Sequence, residues 1–191
     1  HGTPAGSHVT TIAWIDAVRI AHRARQFWHA LFAKPKPEEL ALARAALPGS
    51  LLILFDQLQP SEQAHSLKIY RQLVEQGETQ PDLLVAALLH DVGKSRYRLH
   101  IWDRVLIVLA RAIFPHQVQI WGRGNPAGWQ RAFVIAEQHP TWGAQMAAQA
   151  GASPLTVSII RRHQDPSLVD KAHPLFEDQL LNQLKILDED N

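Results

Sequence analysis

Apolar residues recur at helical spacing in each hydrophobic stretch, and no stretch shows the strict alternation of a half-buried strand. In residues 10–33, Ile12, Ile15, Val18 and His22 step by three and four, and Phe27, Trp28 and Leu31 continue the side. Arg19, Arg23 and Arg25 make the other side basic. Lys34-Pro35-Lys36-Pro37 breaks this helix, and Pro37 starts the next with Glu38 and Glu39 in its first turn. After Leu47-Pro48-Gly49-Ser50, a short apolar helix runs from Leu51 to Leu58 and closes at Pro60. Ser61 is the expected N-cap of the following helix, which carries His65 in its first turns and buries Leu67, Tyr70, Leu73 and Val74. Gly77 and Pro81 turn the chain into the apolar run Leu83–Leu89, a buried helix ending at His90-Asp91. The short connection makes these two helices antiparallel neighbours, which brings His65 near His90.

The second half continues the pattern. Trp102, Val105, Leu106, Leu109 and Ile113 form the stripe of an amphipathic helix ended by Pro115. Residues 116–129 contain Gly122, Gly124, Pro126 and Gly128 and read as a long loop, the kind that serves as a lid or binding loop. Arg131–Gln138 is helical, and Pro140 is expected to open another helix that Gly151 ends. Ser153-Pro154 starts a further one, with Ile159, Ile160 and His163 on one side. A polar connection over 164–174 leads to a last helix carrying Leu180, Leu181, Leu184 and Leu187. The expectation is an all-α fold, with residues 1–59 as an N-terminal helical extension and 60–191 as the main domain.

Composition narrows the classes. Nineteen Lys and Arg against 18 Asp and Glu give no global signal for specific nucleic-acid binding. The absence of cysteine excludes disulfides, thiolate zinc sites and a cysteine nucleophile, and agrees with a cytoplasmic location. The longest apolar run, Val105–Ala110 between Arg104 and Arg111, is too short for a membrane span, and His1–Thr11 does not read as a signal peptide. Eleven histidines leave histidine–carboxylate metal chemistry open.

The helical phases leave His65, His90, Asp91, His163 and Asp188 in apolar surroundings, with His139 as a sixth such residue. Buried ionisable groups are costly unless paired or bound to metal. Three or four histidines with two carboxylates suit a divalent ion; the alternative for His90-Asp91 is a core histidine beside a capping carboxylate. Asp188 follows Leu184 by four residues and Leu181 by seven, so it continues their inward stripe, whereas Asp190 does not. Gly93 is expected to close the His90-Asp91 helix in the left-handed conformation, releasing Lys94 from the core.

His65, His90-Asp91 and Asp188, in that order, with Ala-Ala-Leu-Leu before His-Asp-Val-Gly-Lys, resemble the HD-domain metal-dependent phosphohydrolases over residues 60–191. The resemblance implies an all-helical core with a first metal held by His65, His90, Asp91 and Asp188. Members with two metals add two histidines, and His139 and His163 stand in those places, with Asp91 bridging. The cyclic-dinucleotide branch's Gly-Tyr-Pro signature is missing. The expected cofactor is one or two divalent ions (Mn, Fe, Co, Ni, Zn or Mg), and imidazole-rich ligation disfavours Mg alone. Asp91 and Lys94 are the expected catalytic residues, with Lys94, Lys68 and Arg162 holding phosphate. The expected substrate is a small phosphate ester, for which a nucleotide is the natural form by resemblance. Two other readings stay open. One is a di-iron oxygenase of the same superfamily, and the other is a non-enzymatic module whose metal holds the fold while the basic amino-terminal helix contacts a partner. His1, His8, His100, His116 and His173 match no motif position and have no assigned role.

Overall fold

The computed structural model describes residues 32–165 and 175–189. The described residues form nine α-helices, two short 3-10 turns and no strand. In chain order they are α1 (Pro37–Ala46), α2 (Gly49–Asp56), α3 (Pro60–Glu75), α4 (Pro81–Leu89), a 3-10 turn at Val92–Arg96, α5 (Ile101–Ile113), α6 (Pro115–Trp121), a second turn at Gly128–Gln130, α7 (Arg131–Gln149), α8 (Pro154–Arg162) and α9 (Phe176–Glu189). The chain divides into two compact units, His1–Ala33 and Lys34–Asn191. The expected helix over 10–33 lies outside the described residues except for its last two positions, and so do Asp190 and most of the 164–174 connection.

Two cores build the second unit. The larger gathers α4 with the inner faces of α3, α8 and α9, and Leu83, Leu88, Leu89, Leu73, Ile160 and Leu184 are among its fully buried members. Each such side chain contributes about 1.5–3 kcal/mol relative to exposure. Ala43, Leu47, Leu51 and Phe55, from the part expected to form an extension, are buried in this same core. The smaller core joins α5, α6 and α7 through Ile107, Ala110, Val118 and Phe133.

Several local expectations change. Gln59, not Ser61, precedes α3; Pro60 takes the first helical position and Glu62 Oε2 accepts from Gln59 N at 3.1 Å. Val74 is exposed, and the α3 stripe runs through Ser66, Ile69 and Leu73 because α1 and α4 flank the helix. Residues 115–121 are helix rather than loop, since Val118 reaches the smaller core. Pro140 lies inside a continuous α7. A proline there removes the N–H that would serve the carbonyl of Ala136. His139 Nδ1 donates to that carbonyl at 3.1 Å, and to the Ile135 carbonyl at 3.2 Å, so the helix continues.

Other terminators behave as read. Gly77 and Gly151 adopt φ of 84° and 89° just after α3 and α7. Ser153 caps α8, accepting from Thr156 N at 3.0 Å and bonding Asp82 on α4. Ser153→Ala should lower the unfolding free energy by about 1–2 kcal/mol. The readout is a shift in urea midpoint at unchanged slope; an unmoved midpoint would show that the cap is redundant.

Candidate metal centre

Each candidate ligand stands where a helix end or a buried face puts it. His90 and Asp91 follow α4, His65 sits on the neighbouring α3, Asp188 ends α9, His139 is mid-α7, and His163 follows α8. His90, Asp91, His139 and His163 are buried, while His65 and Asp188 retain partial exposure. The nitrogens and oxygens form two groups sharing Asp91: His65, His90 and Asp91, then Asp91, His139 and His163, each group's ligand atoms lying within 4.8 Å of one another. Asp188 joins the first, its Oδ1 2.8 Å from His65 Nε2 and 3.6 Å from His90 Nε2. Asp91 divides its oxygens between the groups: Oδ2 is 3.6 Å from His90 Nε2, and Oδ1 is 3.2 Å from His139 Nε2 and 4.0 Å from His163 Nε2.

The backbone settles the tautomers. Nδ1 of His90, His139 and His163 lies 3.0, 3.1 and 2.7 Å from the carbonyls of Ala87, Ala136 and Ile160. A carbonyl only accepts, so each Nδ1 carries the proton, and in the neutral ring each Nε2 presents a lone pair. His139 and His163 bring these lone pairs to 3.2 Å from each other, with Asp91 Oδ1 beside them. Three acceptors converge there. His90 Nε2 is buried without a hydrogen-bond partner. Two nitrogens on one tetrahedral ion lie roughly 3.3 Å apart, given bonds of about 2.0–2.1 Å. The donor set therefore fits a divalent cation.

A sequence profile described as the HD domain matches residues 63–189. The chain belongs to the HD-domain family. No curated protein and no solved structure matches it. Family membership and the histidine–aspartate cluster together point to a metal-dependent HD-superfamily function.

The HD-motif glycine has a different cause from the one expected. Gly93 does not have positive φ. A Cβ on it would lie 2.0 Å from the carbonyl oxygen of His139 and 2.7 Å from Gly143 N, so the residue is needed to let the turn after α4 touch α7.

The basic residues separate. Lys94 Nζ donates to Asp91 Oδ2 at 2.6 Å, so it stays at the cluster. Lys68 is exposed on α3. Arg162 bonds Asp178 at 2.8 Å and also pairs with Glu177 and Asp165, tying α8 to α9. A cleft of about 620 Å³ reaches the cluster at His163 and Asp188; its cations are Arg111, Arg161 and Lys185, the last bonded to the Asp165 carbonyl, and the carboxylates of Glu137, Asp165 and Glu189 line it with them. Arg111 and Lys185 belong to no motif and come together only through the fold. Glu62, also outside the sequence reading, is buried one turn before His65 and binds Arg104 at 2.7 Å. Burial holds the Glu62 carboxyl above its ordinary range, partly offset by Lys94. Its spacing of three from His65 was the available signal.

The electrostatics give the metal-free protein a particular pH response. Burial alone would hold the His90 imidazole down, but the carboxylates of Asp91 and Asp188 outweigh it and raise its pKa from 6.5 to about 9. Burial, with Lys94 nearby, lowers His139; burial, with His139 and His90 beside it, lowers His163 to about 3. Asp91 and Asp188 lie below the ordinary range against the effect of burial, the first through Lys94 and His90, the second through the hydrogen bond from His65 and the nearby His90 imidazole. The His90 contribution to stability is full below pH 6.5 and is lost as pH rises through about 9. His139 and His163 bind fewer protons folded than unfolded, so their contribution is lost as pH falls below 6.5, and the aspartates add to that loss below 3.8. Metal-free protein should thus be most stable near pH 6.5. Metal ligation needs neutral imidazole, so loading should displace the optimum upward. Thermal melts across pH in chelator and in Mn(II) test this, and an optimum that metal leaves in place would contradict it.

Proposed function

We propose that this HD domain is a metal-dependent phosphohydrolase cleaving a small phosphate ester, with a nucleotide as the natural form. The observation that carries the proposal is the convergence of the histidine lone pairs and both Asp91 oxygens at a cleft whose cations are Arg111, Arg161 and Lys185. His65, His90, Asp91 and Asp188 hold one divalent ion, and Asp91, His139 and His163 hold a second. Such ions would supply Lewis acidity and lower the pKa of a bound water toward about 7.

The chain's own residues do the rest. The backbone carbonyls of Ala87, Ala136 and Ile160 fix three imidazoles with Nε2 turned inward. Asp91 presents one oxygen to each group, and Lys94 keeps it ionised. Lys94 also brings a point charge to the phosphoryl group, and the cleft cations orient the phosphate. Arg161 takes the phosphate role expected of Arg162, whose guanidinium is already engaged by carboxylates. Lys68, one turn from His65, extends the same positive field at the surface.

Anaerobic assay of Mn(II)-loaded protein against nucleoside monophosphates, cyclic nucleotides and simple phosphate esters tests the proposal. The expected result is product without oxygen, with Lys94→Ala lowering kcat by on the order of 10²-fold. Turnover that requires iron and consumes oxygen would assign the site to the oxygenase branch instead.

A further inference from the structure

Helix α5 is built inside out. It spans 13 residues, about 20 Å. Its outward arc carries Ile101, Trp102, Leu106, Val108, Leu109 and Ile113, all exposed, with Trp102 at 77 %, Ile113 at 64 % and Leu109 at 55 %. At 100° per residue no charged side chain falls on that arc. The helix's charged residues lie on the other side. Asp103 bonds Arg131 at 3.0 Å, Arg104 bonds Glu62 at 2.7 Å, and Arg111 lines the cleft. A surface helix in water ordinarily does the reverse. Phe114, Trp121 and Trp129 continue the apolar surface, with ring centroids 6.3 and 5.4 Å apart along the series.

The segment that carries this face is basic, and Glu137 on α7 is the exposed carboxylate against Gly122. Residues 98–131 contain Arg98, Arg104, Arg111, Arg123 and Arg131, and Asp103 is their only acidic residue, already bonded to Arg131. Arg98 and Arg123 are exposed. A second copy docked on α5 by a two-fold axis would set this basic segment, with Arg98 and Arg123 unneutralised by Asp103, against itself. Residues 1–33 do not complement them either, since they carry Arg19, Arg23 and Arg25 against Asp16 alone.

We propose that α5 and α6 form a docking face for an anionic lipid surface, the apolar arc entering the headgroup–acyl boundary and Arg98 and Arg123 meeting the headgroups. Aromatic and aliphatic residues on one face with arginines at its edge are what interfacial helices present. No described helix is long and apolar enough to cross a membrane, so the contact is with the surface.

The test is co-sedimentation of the full chain with vesicles of phosphatidylcholine, alone or mixed with phosphatidylglycerol. Binding is expected only with the anionic lipid and should weaken with salt. Leu109→Glu with Ile113→Glu should abolish binding while metal content and thermal midpoint stay unchanged. Arg98→Ala with Arg123→Ala should weaken it roughly 30-fold. Joint replacement of Arg19, Arg23 and Arg25 by alanine should leave binding intact. The proposal is overturned by absence of binding to anionic vesicles, or by loss of binding only in the Arg19, Arg23 and Arg25 variant. A dimer that Leu109→Glu dissociates, in protein that ignores vesicles, would make the face a contact between copies. A lowered melt in Leu109→Glu with Ile113→Glu would show that the arc is packed internally, which also overturns it.

Discussion

Asp91→Ala should remove nearly all bound metal and bring hydrolysis to background. Asp91 is the one residue common to both ligand groups, and each of its oxygens faces a different set of Nε2 atoms. Its loss therefore breaks both groups, whereas His139→Ala or His163→Ala should leave about one ion, because the first group keeps His65, His90 and Asp188. Elemental analysis gives the counts. A melt separates ligand loss from unfolding: wild type at metal one hundred times Kd gains about 2.7 kcal/mol, and the Asp91 variant should gain none. If both histidine variants keep the wild-type metal count, the second site is not made by these residues.

Gly93→Ala should be the most damaging methyl added to any of the described glycines. The added Cβ would meet three backbone atoms, His139 O at 2.0 Å, Gly143 N at 2.7 Å and His139 C at 2.8 Å, where ordinary contact begins at 3.4 Å. No side chain can rotate away, so α7 or the turn after α4 must move by more than 1 Å. Overpacking a core commonly costs about 1–3 kcal/mol, and a clash confined to backbone belongs at or above the top of that range. At this chain length the expected loss in Tm is roughly 6–12 °C. The displaced residue is His139, and an error of about 1 Å at a reacting centre can cost 10²-fold in rate. A Gly93→Ala protein with wild-type melt and metal content would show that the two segments separate freely.

Most of the helical plan was legible in the periodicity, because the larger core is made of stripes that a 3.6-residue repeat reveals. Asp188 could be assigned to the cluster by phase alone, since it continues the line of Leu181 and Leu184, and it lies 2.8 Å from His65. What was illegible depends on contacts between distant segments. Gly93 looked like a helix terminator because that is the local use of glycine; its actual neighbour is forty-odd residues away on α7. Pro140 looked like a helix start because the His139 side chain that satisfies the Ala136 carbonyl cannot be read from propensity. Arg162 looked available for phosphate until α9 brought Glu177 and Asp178 to it. The α5 stripe is legible in the sequence, but periodicity shows that a helix has an apolar face without showing what covers it, and most of this one is exposed.

The central claim is that inward-facing Nε2 atoms and two aspartates hold divalent metal. Its most direct test is an anomalous difference map from crystals grown with Mn(II) and measured near the manganese edge. The account predicts one peak bonded to His65, His90, Asp91 and Asp188, and a second shared by Asp91, His139 and His163. A featureless cluster at full occupancy of Mn(II) elsewhere in the crystal, or a peak that leaves Asp91 unligated, would contradict it.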